Sequence, residues 1–239
     1  MAMTLTVLGC SGSYPGPGQA ASGYLVRSDT TSIWLDAGSG TLANLQRHID
    51  PAALDAVVIT HEHPDHWVDL TGYYVACKYY LNRLTVAVLA PAGLRERAYY
   101  SDAPLVWDTI ADGHRREIGD ISLTFSRTDH PPETLAVRLD AGGRSLGYSA
   151  DSGPGWPLEA LGPGLDLALC EATYLEDMEG RGQHMSARQA GVSARAAGAG
   201  RLVLTHLQPG TDRQVSRAEG AAAFGGDVEV AEENAVYEL

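Results

Sequence analysis

The chain has 239 residues, 44% apolar and 20% charged, which suits a folded domain with a sizeable core and excludes disordered, collagen-like and low-complexity classes. Seventeen lysines and arginines face thirty aspartates and glutamates, and the net charge of −13 disfavours tRNA or any other large nucleic acid as a partner. Composition leaves eight histidines unexplained.

Short β-type runs bounded by Gly, Pro, Asn or Asp predict strands over 4–8, 23–27, 32–35, 56–60, 85–89, 122–127, 135–139, 145–149, 165–170, 201–205 and 228–230. Between them the spacing predicts helices over 41–48, 68–81, 93–100, 187–197 and 216–224. Strands with helices between them in both halves imply layered mixed α/β architecture, with helices covering sheets. No low-complexity linker divides the halves, so residues 1–239 are expected to form a single domain.

Cys10, Cys77 and Cys170 are odd in number and far apart, which reads as small buried apolar residues in a reducing compartment. Val7-Leu8-Gly9-Cys10 looks like a lipoprotein cleavage box, but neither a basic segment nor an apolar stretch precedes it. No apolar run approaches the ~18–20 residues that span a bilayer, so the expected location is cytoplasmic. In the helix over 68–81, Leu70, Tyr73, Tyr74, Cys77 and Leu81 share a stripe, with Tyr79 and Tyr80 adjoining. That stripe reads as core packing or a homodimer interface, or else as an aromatic wall for a substrate ring.

The strand over 56–60 runs into His61-Glu62-His63-Pro64-Asp65-His66, three imidazoles and the Asp65 carboxylate in an H-x-H-x-D-H pattern within six residues. At this composition the pattern arises by chance in roughly one random chain in 1,600, a small false-positive risk for a motif. His61 and His63 share a face of an extended segment, while Pro64 forces a turn that brings Asp65 and His66 round from another direction. One loop can thus offer ligands to two divalent metal ions. Imidazole and carboxylate suit Zn, and also Mn or Fe; no thiolates of a structural zinc site are present. Three later strand ends carry further candidates, His130, Asp151 and His206, each where α/β proteins tend to place their sites.

Thr60-His61-Glu62-His63-Pro64-Asp65-His66, followed by His130, Gly147-Tyr148-Ser149-Ala150-Asp151-Ser152 and Leu204-Thr205-His206, resembles the metallo-β-lactamase superfamily. Glu171-Ala172-Thr173-Tyr174, His184-Met185-Ser186 and the aspartate Asp65 resemble its phosphodiesterase branch, the ribonuclease Z-like enzymes and small actinobacterial cyclic-nucleotide phosphodiesterases. The resemblance implies a four-layer αββα sandwich in which His61, His63 and His130 hold one metal, Asp65, His66 and His206 the other, and Asp151 bridges. It also implies catalytic roles for Asp65, for His184 as general acid or electrostatic stabiliser, and for Glu171 as the group that holds His184 in one tautomer. Ala150 and Ser152 depart from the glycine and threonine common beside the bridging aspartate, both conservatively in size.

Only twenty residues separate His130 from Asp151, too few for the long basic arm with which ribonuclease Z grips tRNA. A small-molecule phosphodiester such as a cyclic nucleotide is therefore the expected substrate. Hydrolysis of a lactone, thioester or amide on the same metals is the alternative, and a non-catalytic metal-binding protein of the same fold is a third reading. The glycine-rich turn Gly9-Cys10-Ser11-Gly12-Ser13 and the loop Tyr14-Pro15-Gly16-Pro17-Gly18 are expected to border the pocket. His48 near a helix end and His114 in the polar turn Asp112-Gly113-His114-Arg115-Arg116 need no role beyond the surface.

Overall fold

The computed structural model describes residues 3–239. The first sheet takes its strands mostly from the first half of the chain: β1 (Thr4–Gly9), β2 (Gly23–Arg27), β3 (Ser32–Ala37), β4 (Ala56–Val58), β5 (Val86–Ala90) and β6 (Leu105–Thr109). The second is built from β7 (Arg115–Ile118), β8 (Ile121–Arg127), β9 (Leu135–Ala141), β10 (Arg144–Tyr148), β11 (Leu167–Glu171), β12 (Leu202–Thr205) and β13 (Val228–Val230). The last strand, β14 (Val236–Glu238), returns to the first sheet and pairs antiparallel with β1. Strand orders are β14-β1-β2-β3-β4-β5-β6 and β13-β12-β11-β10-β9-β8-β7. Each sheet has an antiparallel part and a parallel part, the latter β3-β4-β5-β6 in one and β10-β11-β12-β13 in the other.

Every run expected to be a strand forms one, while β6, β7 and β14 went unpredicted. All three are sheet edges, where one flank is unpaired and polar side chains are tolerated, so their apolar signal is weak. β7 is the sharpest correction: Arg115 and Arg116, read as part of a polar turn, lie in a strand paired with Leu123 and Thr124 of β8.

Three apolar layers separate the four structural ones. Leu5, Tyr24, Ile33, Leu35 and Val58 of the first sheet meet Leu123, Phe125, Val137, Tyr148 and Leu169 of the second in a buried core. The opposite face of the first sheet, with Trp34, Val57 and Val88, is covered by α1 (Thr41–Leu45), α2 (Asp69–Tyr79) and α3 (Ala92–Arg97). The opposite face of the second, with Ala168, Cys170 and Leu204, is covered by α4 (Ala187–Ala196) and α5 (Arg213–Phe224). Because both faces of each sheet are buried, central strands such as β3 are apolar at successive positions, which is what made them legible. The αββα expectation is met.

The tyrosine-rich helix divides by face. Leu70, Tyr73, Tyr74 and Cys77 of α2 are buried against the first sheet, which is core packing, whereas Tyr79, Tyr80 and Tyr99 are exposed. All three cysteines are free and buried. α5 begins three residues before the predicted start, because the Asp212 carboxylate accepts hydrogen bonds from the backbone N–H groups of Gln214 and Val215 and caps a polar first turn.

Candidate metal centre

The seven expected ligands come from loops that follow strands of both sheets, and they converge. His61 and His63 follow β4, and the one-turn helix Pro64–His66 swings Asp65 and His66 round as Pro64 demands. His130 follows β8, Asp151 follows β10 and His206 follows β12. On one side, His63 Nδ1 lies 3.1 Å from His61 Nε2 and 3.2 Å from His130 Nε2. On the other, His66 Nε2 lies 3.3 Å from His206 Nε2, and Asp65 Oδ2 lies 3.2 Å from that same His206 nitrogen. Asp151 stands between them. Its Oδ2 is 3.6 Å from His61 Nε2 and 3.8 Å from His130 Nε2, and its Oδ1 is 3.3 Å from His66 Nε2 and 3.4 Å from His206 Nε2.

Hydrogen bonds made by the outer ring nitrogens determine what these inner atoms are. Thr60 Oγ1 donates to Asp36 Oδ2 at 3.0 Å, so with its one proton committed it accepts from His61 Nδ1 at 3.0 Å. Thr173 Oγ1 likewise donates to Glu171 Oε2 at 2.7 Å and accepts from His206 Nδ1 at 2.9 Å. His66 Nδ1 donates to Asp36 Oδ2 at 2.7 Å, and His130 Nδ1 donates to the Gln183 carbonyl at 2.8 Å. In their neutral forms these four rings therefore turn Nε2 lone pairs inward, those of His61 and His130 within 3.1–3.2 Å of His63 Nδ1 and those of His66 and His206 3.3 Å apart, beside a carboxylate whose Oδ1 is buried without a hydrogen-bond partner. Convergent acceptors of this kind call for a cation. The nitrogen spacings also match the ~3.3 Å edge of a tetrahedron with Zn–N bonds of ~2.0–2.1 Å. Three groups could each hold a metal ion: His61, His63, His130 and Asp151; Asp65, His66 and His206; and Asp151, His184 and His206.

Electrostatics agree with a cation site. Burial, reinforced by neighbouring imidazoles, lowers the pKa of His61 and His63, favouring the neutral form that ligates. Burial acts in the same direction on His66 and His206, but Asp151 and Asp65 overcome it and raise both. Burial would raise the carboxyl groups of Asp65 and Asp151, yet the surrounding histidines hold both well below the usual carboxylate range.

His184, in the loop before α4, stands outside the seven. Its Nδ1 lies 2.9 Å from Glu171 Oε1 and 4.0 Å from Asp151 Oδ2. Burial alone would lower its pKa, but the hydrogen bond and charge of Glu171 push it up to about 9. Glu171 is fully buried at the end of β11, and it also accepts from the backbone N–H groups of Ser152 and Thr173.

Several residues of the centre were not anticipated. Asp36, at the end of β3, is buried and accepts from Thr60, His66 and Tyr148. The signal that marked His130 and His206, a polar residue just past a predicted strand, is present at Asp36 as well, which follows the run over 32–35. Ala150 is a departure of conformation rather than size, since its φ of 51° lies where glycine is at ease; Asp36 and His206 share that region at 56° and 58°. Of the glycine-rich segments, Gly12 and Ser13 do reach the centre: the Ser13 amide is 3.5 Å from His206 Nε2, and a Cβ on Gly12 would lie 2.3 Å from the His206 carbonyl oxygen. In the 14–18 loop, Gly16 lies against Gln19 and Pro209, and Tyr14 is exposed.

Residues 31–207 match the beta-lactamase superfamily domain. The chain belongs to that superfamily. Among curated relatives it is 35% identical to the uncharacterized protein Rv1339 of Mycobacterium tuberculosis, covering 95% of this chain and 89% of the relative. It is 26% identical to ribonuclease Z of Mycobacterium bovis over 95% of each. The crystal structure of the metallo-beta-lactamase fold protein YhfI from Bacillus subtilis superposes over 100% of both chains with a TM-score of 0.91 and 29% identity. Membership places the chain among metallo-hydrolases of that fold, with a buried His/Asp cluster that could hold metal ions. No helix among the described residues is long and apolar enough to cross a membrane.

Proposed function

We propose that this chain hydrolyses a small phosphodiester such as a cyclic nucleotide, with residues 1–239 acting as one domain. In this reading His61, His63 and His130 hold one divalent cation, Asp65, His66 and His206 hold a second, and Asp151 bridges them, with zinc a metal whose bond lengths fit the nitrogen spacing. Two such cations supply positive charge against the phosphate oxygens and a water of lowered pKa. Asp65, with Oδ2 at the edge of the cluster, orients the attacking water and can accept its proton. His184, fixed by Glu171 through Nδ1, is left with Nε2–H to donate to the departing alkoxide.

The observation that carries this reading is the His184–Glu171 pair: a proton donor held beside the cluster yet outside its ligands is what an alkoxide leaving group needs. A small substrate is supported by the net charge of −13 and by β9 and β10, which take up the short segment between His130 and Asp151. The test is a side-by-side assay of zinc-reconstituted protein on a cyclic nucleotide, an aryl phosphodiester, a lactone and a precursor tRNA. Hydrolysis of the small phosphodiesters with the lactone and tRNA untouched is expected. Turnover of the lactone alone would overturn the proposal in favour of carbonyl chemistry, and no turnover of any ester would point to a metal-binding role without catalysis.

A further inference from the structure

Beside the cluster, on the His63 side, opens a cavity of about 770 Å³ lined by Glu62, His63, Pro64, Trp67, Arg97 and the Pro131-Pro132 pair. Its size lies within the range of small-molecule sites, and it is large enough for a nucleotide. The walls are chemically uneven. Trp67 and three prolines offer flat apolar surface; the charged side chains are Glu62 and Arg97, already joined to each other, besides the His63 ring.

That ion pair positions the arginine. Glu62 accepts from Arg97 Nε, and its carboxylate lies over Gly93, where a Cβ would be 2.7 Å from Glu62 Oε2. Held by Nε, the guanidinium keeps both Nη groups without a hydrogen-bond partner among the described residues, and its side chain is 61% exposed. Trp67 is held too, since its indole N–H donates to the Glu62 carbonyl at 2.9 Å; the ring is thereby oriented with its one polar atom satisfied. The cavity thus pairs an oriented aromatic wall with a forked cationic donor at its rim.

We propose that this cavity binds the nucleobase of a nucleotide substrate, the ring lying against Trp67 and the proline pair while Arg97 donates from its Nη edge to acceptor atoms of the base. A base offers both a π-face and an acceptor edge, whereas an alkyl group offers neither, so the cavity selects nucleotides from among phosphodiesters. This deepens the phosphodiesterase reading and rests on it for the reaction, though not for binding.

The experiment compares zinc-loaded wild type with the variants Arg97→Met and Trp67→Leu, each checked for metal content. Binding of adenosine monophosphate is followed by calorimetry, and kcat/KM is measured for cyclic adenosine monophosphate and for glycerophosphoethanolamine, an alkyl diester without a ring. Nucleotide binding is expected to weaken about tenfold in each variant, and the preference for the cyclic nucleotide over the alkyl diester to fall by a similar factor. Failure of wild type to bind the nucleotide, or equal binding by wild type and variants, would overturn the inference. An equal loss on both diesters at unchanged binding would also overturn it, because it would mean a structural role for the two side chains. Weakened nucleotide binding in the variants without hydrolysis of any phosphodiester by wild type would support the pocket and sink the proposed reaction.

Discussion

Asp36 and Thr173 decide which nitrogen His66 and His206 turn inward, because each accepts from Nδ1 and so leaves Nε2 as the nitrogen that faces the cluster. Replacing Asp36 with Asn keeps the volume but removes the charge that orients His66; metal affinity should fall ~10–100-fold, read by competition with a chromophoric chelator. The ligands and the acid should separate cleanly. His184→Ala is expected to retain its metal by elemental analysis while kcat drops ~10²–10⁴-fold, whereas Asp151→Ala should lose metal outright. Retained turnover in a metal-replete His184→Ala protein would remove the general-acid role. Glu171→Gln tests the same pair through pH. Glu171 is what raises His184 to about 9, so without its charge the acid form is lost at lower pH, and the alkaline limb of the rate profile should move towards neutrality. An unmoved limb would show that another group governs it.

The elements beneath the centre owe their order to local chemistry that can be tested apart from it. α4 starts three residues after His184, and a capping box closes that start: Ser186 Oγ accepts from the Gln189 backbone N–H while the Gln189 side chain accepts from the Ser186 N–H. Ser186→Ala should cost about 1 kcal/mol, a fall in Tm of about 2–4 °C. α4 and α5 approach at Gly191, where a Cβ would lie 2.5 Å from the Gly220 carbonyl oxygen. Gly191→Val should therefore destabilise by ~1–3 kcal/mol or more in chemical denaturation, with the centre's ligands untouched. A variant as stable as wild type would mean that the two helices separate freely. Edge strands β6, β7 and β14 were unreadable for the opposite reason: their ordering comes from a paired neighbour, not from an apolar run of their own.

Across the whole molecule the centre ties one sheet to the other, since its residues follow β4 on one side and β8, β10 and β12 on the other. Metal bound only by the folded chain adds about 1.4 kcal/mol for each tenfold of free metal above Kd, so chelation should lower Tm in a concentration-dependent way. An unchanged Tm would show that the cluster closes equally well without a cation. In the metal-free chain, His66 and His206 have raised pKa values, so their protonation stabilises the fold fully below their ordinary value of 6.5, and that contribution is lost as pH rises through the raised values. A metal must displace those protons. Binding should release protons near neutral pH and weaken on acidification, measurable by calorimetry in buffers of different ionisation enthalpy.

Read alone, the sequence determined the layered class, eleven of the strands and all seven candidate ligands, because apolar runs bounded by turn residues and a dense His/Asp loop are short-range signals. The tertiary structure decided what depends on distant partners: that His66 and His206, 140 positions apart, meet at 3.3 Å, that Asp36 and Thr173 direct their rings, and that Trp67 and Arg97 share a cavity beside them. No local pattern encodes such meetings. They exist because two separately built sheets bury their apolar faces against each other and thereby bring their strand ends together around one buried carboxylate.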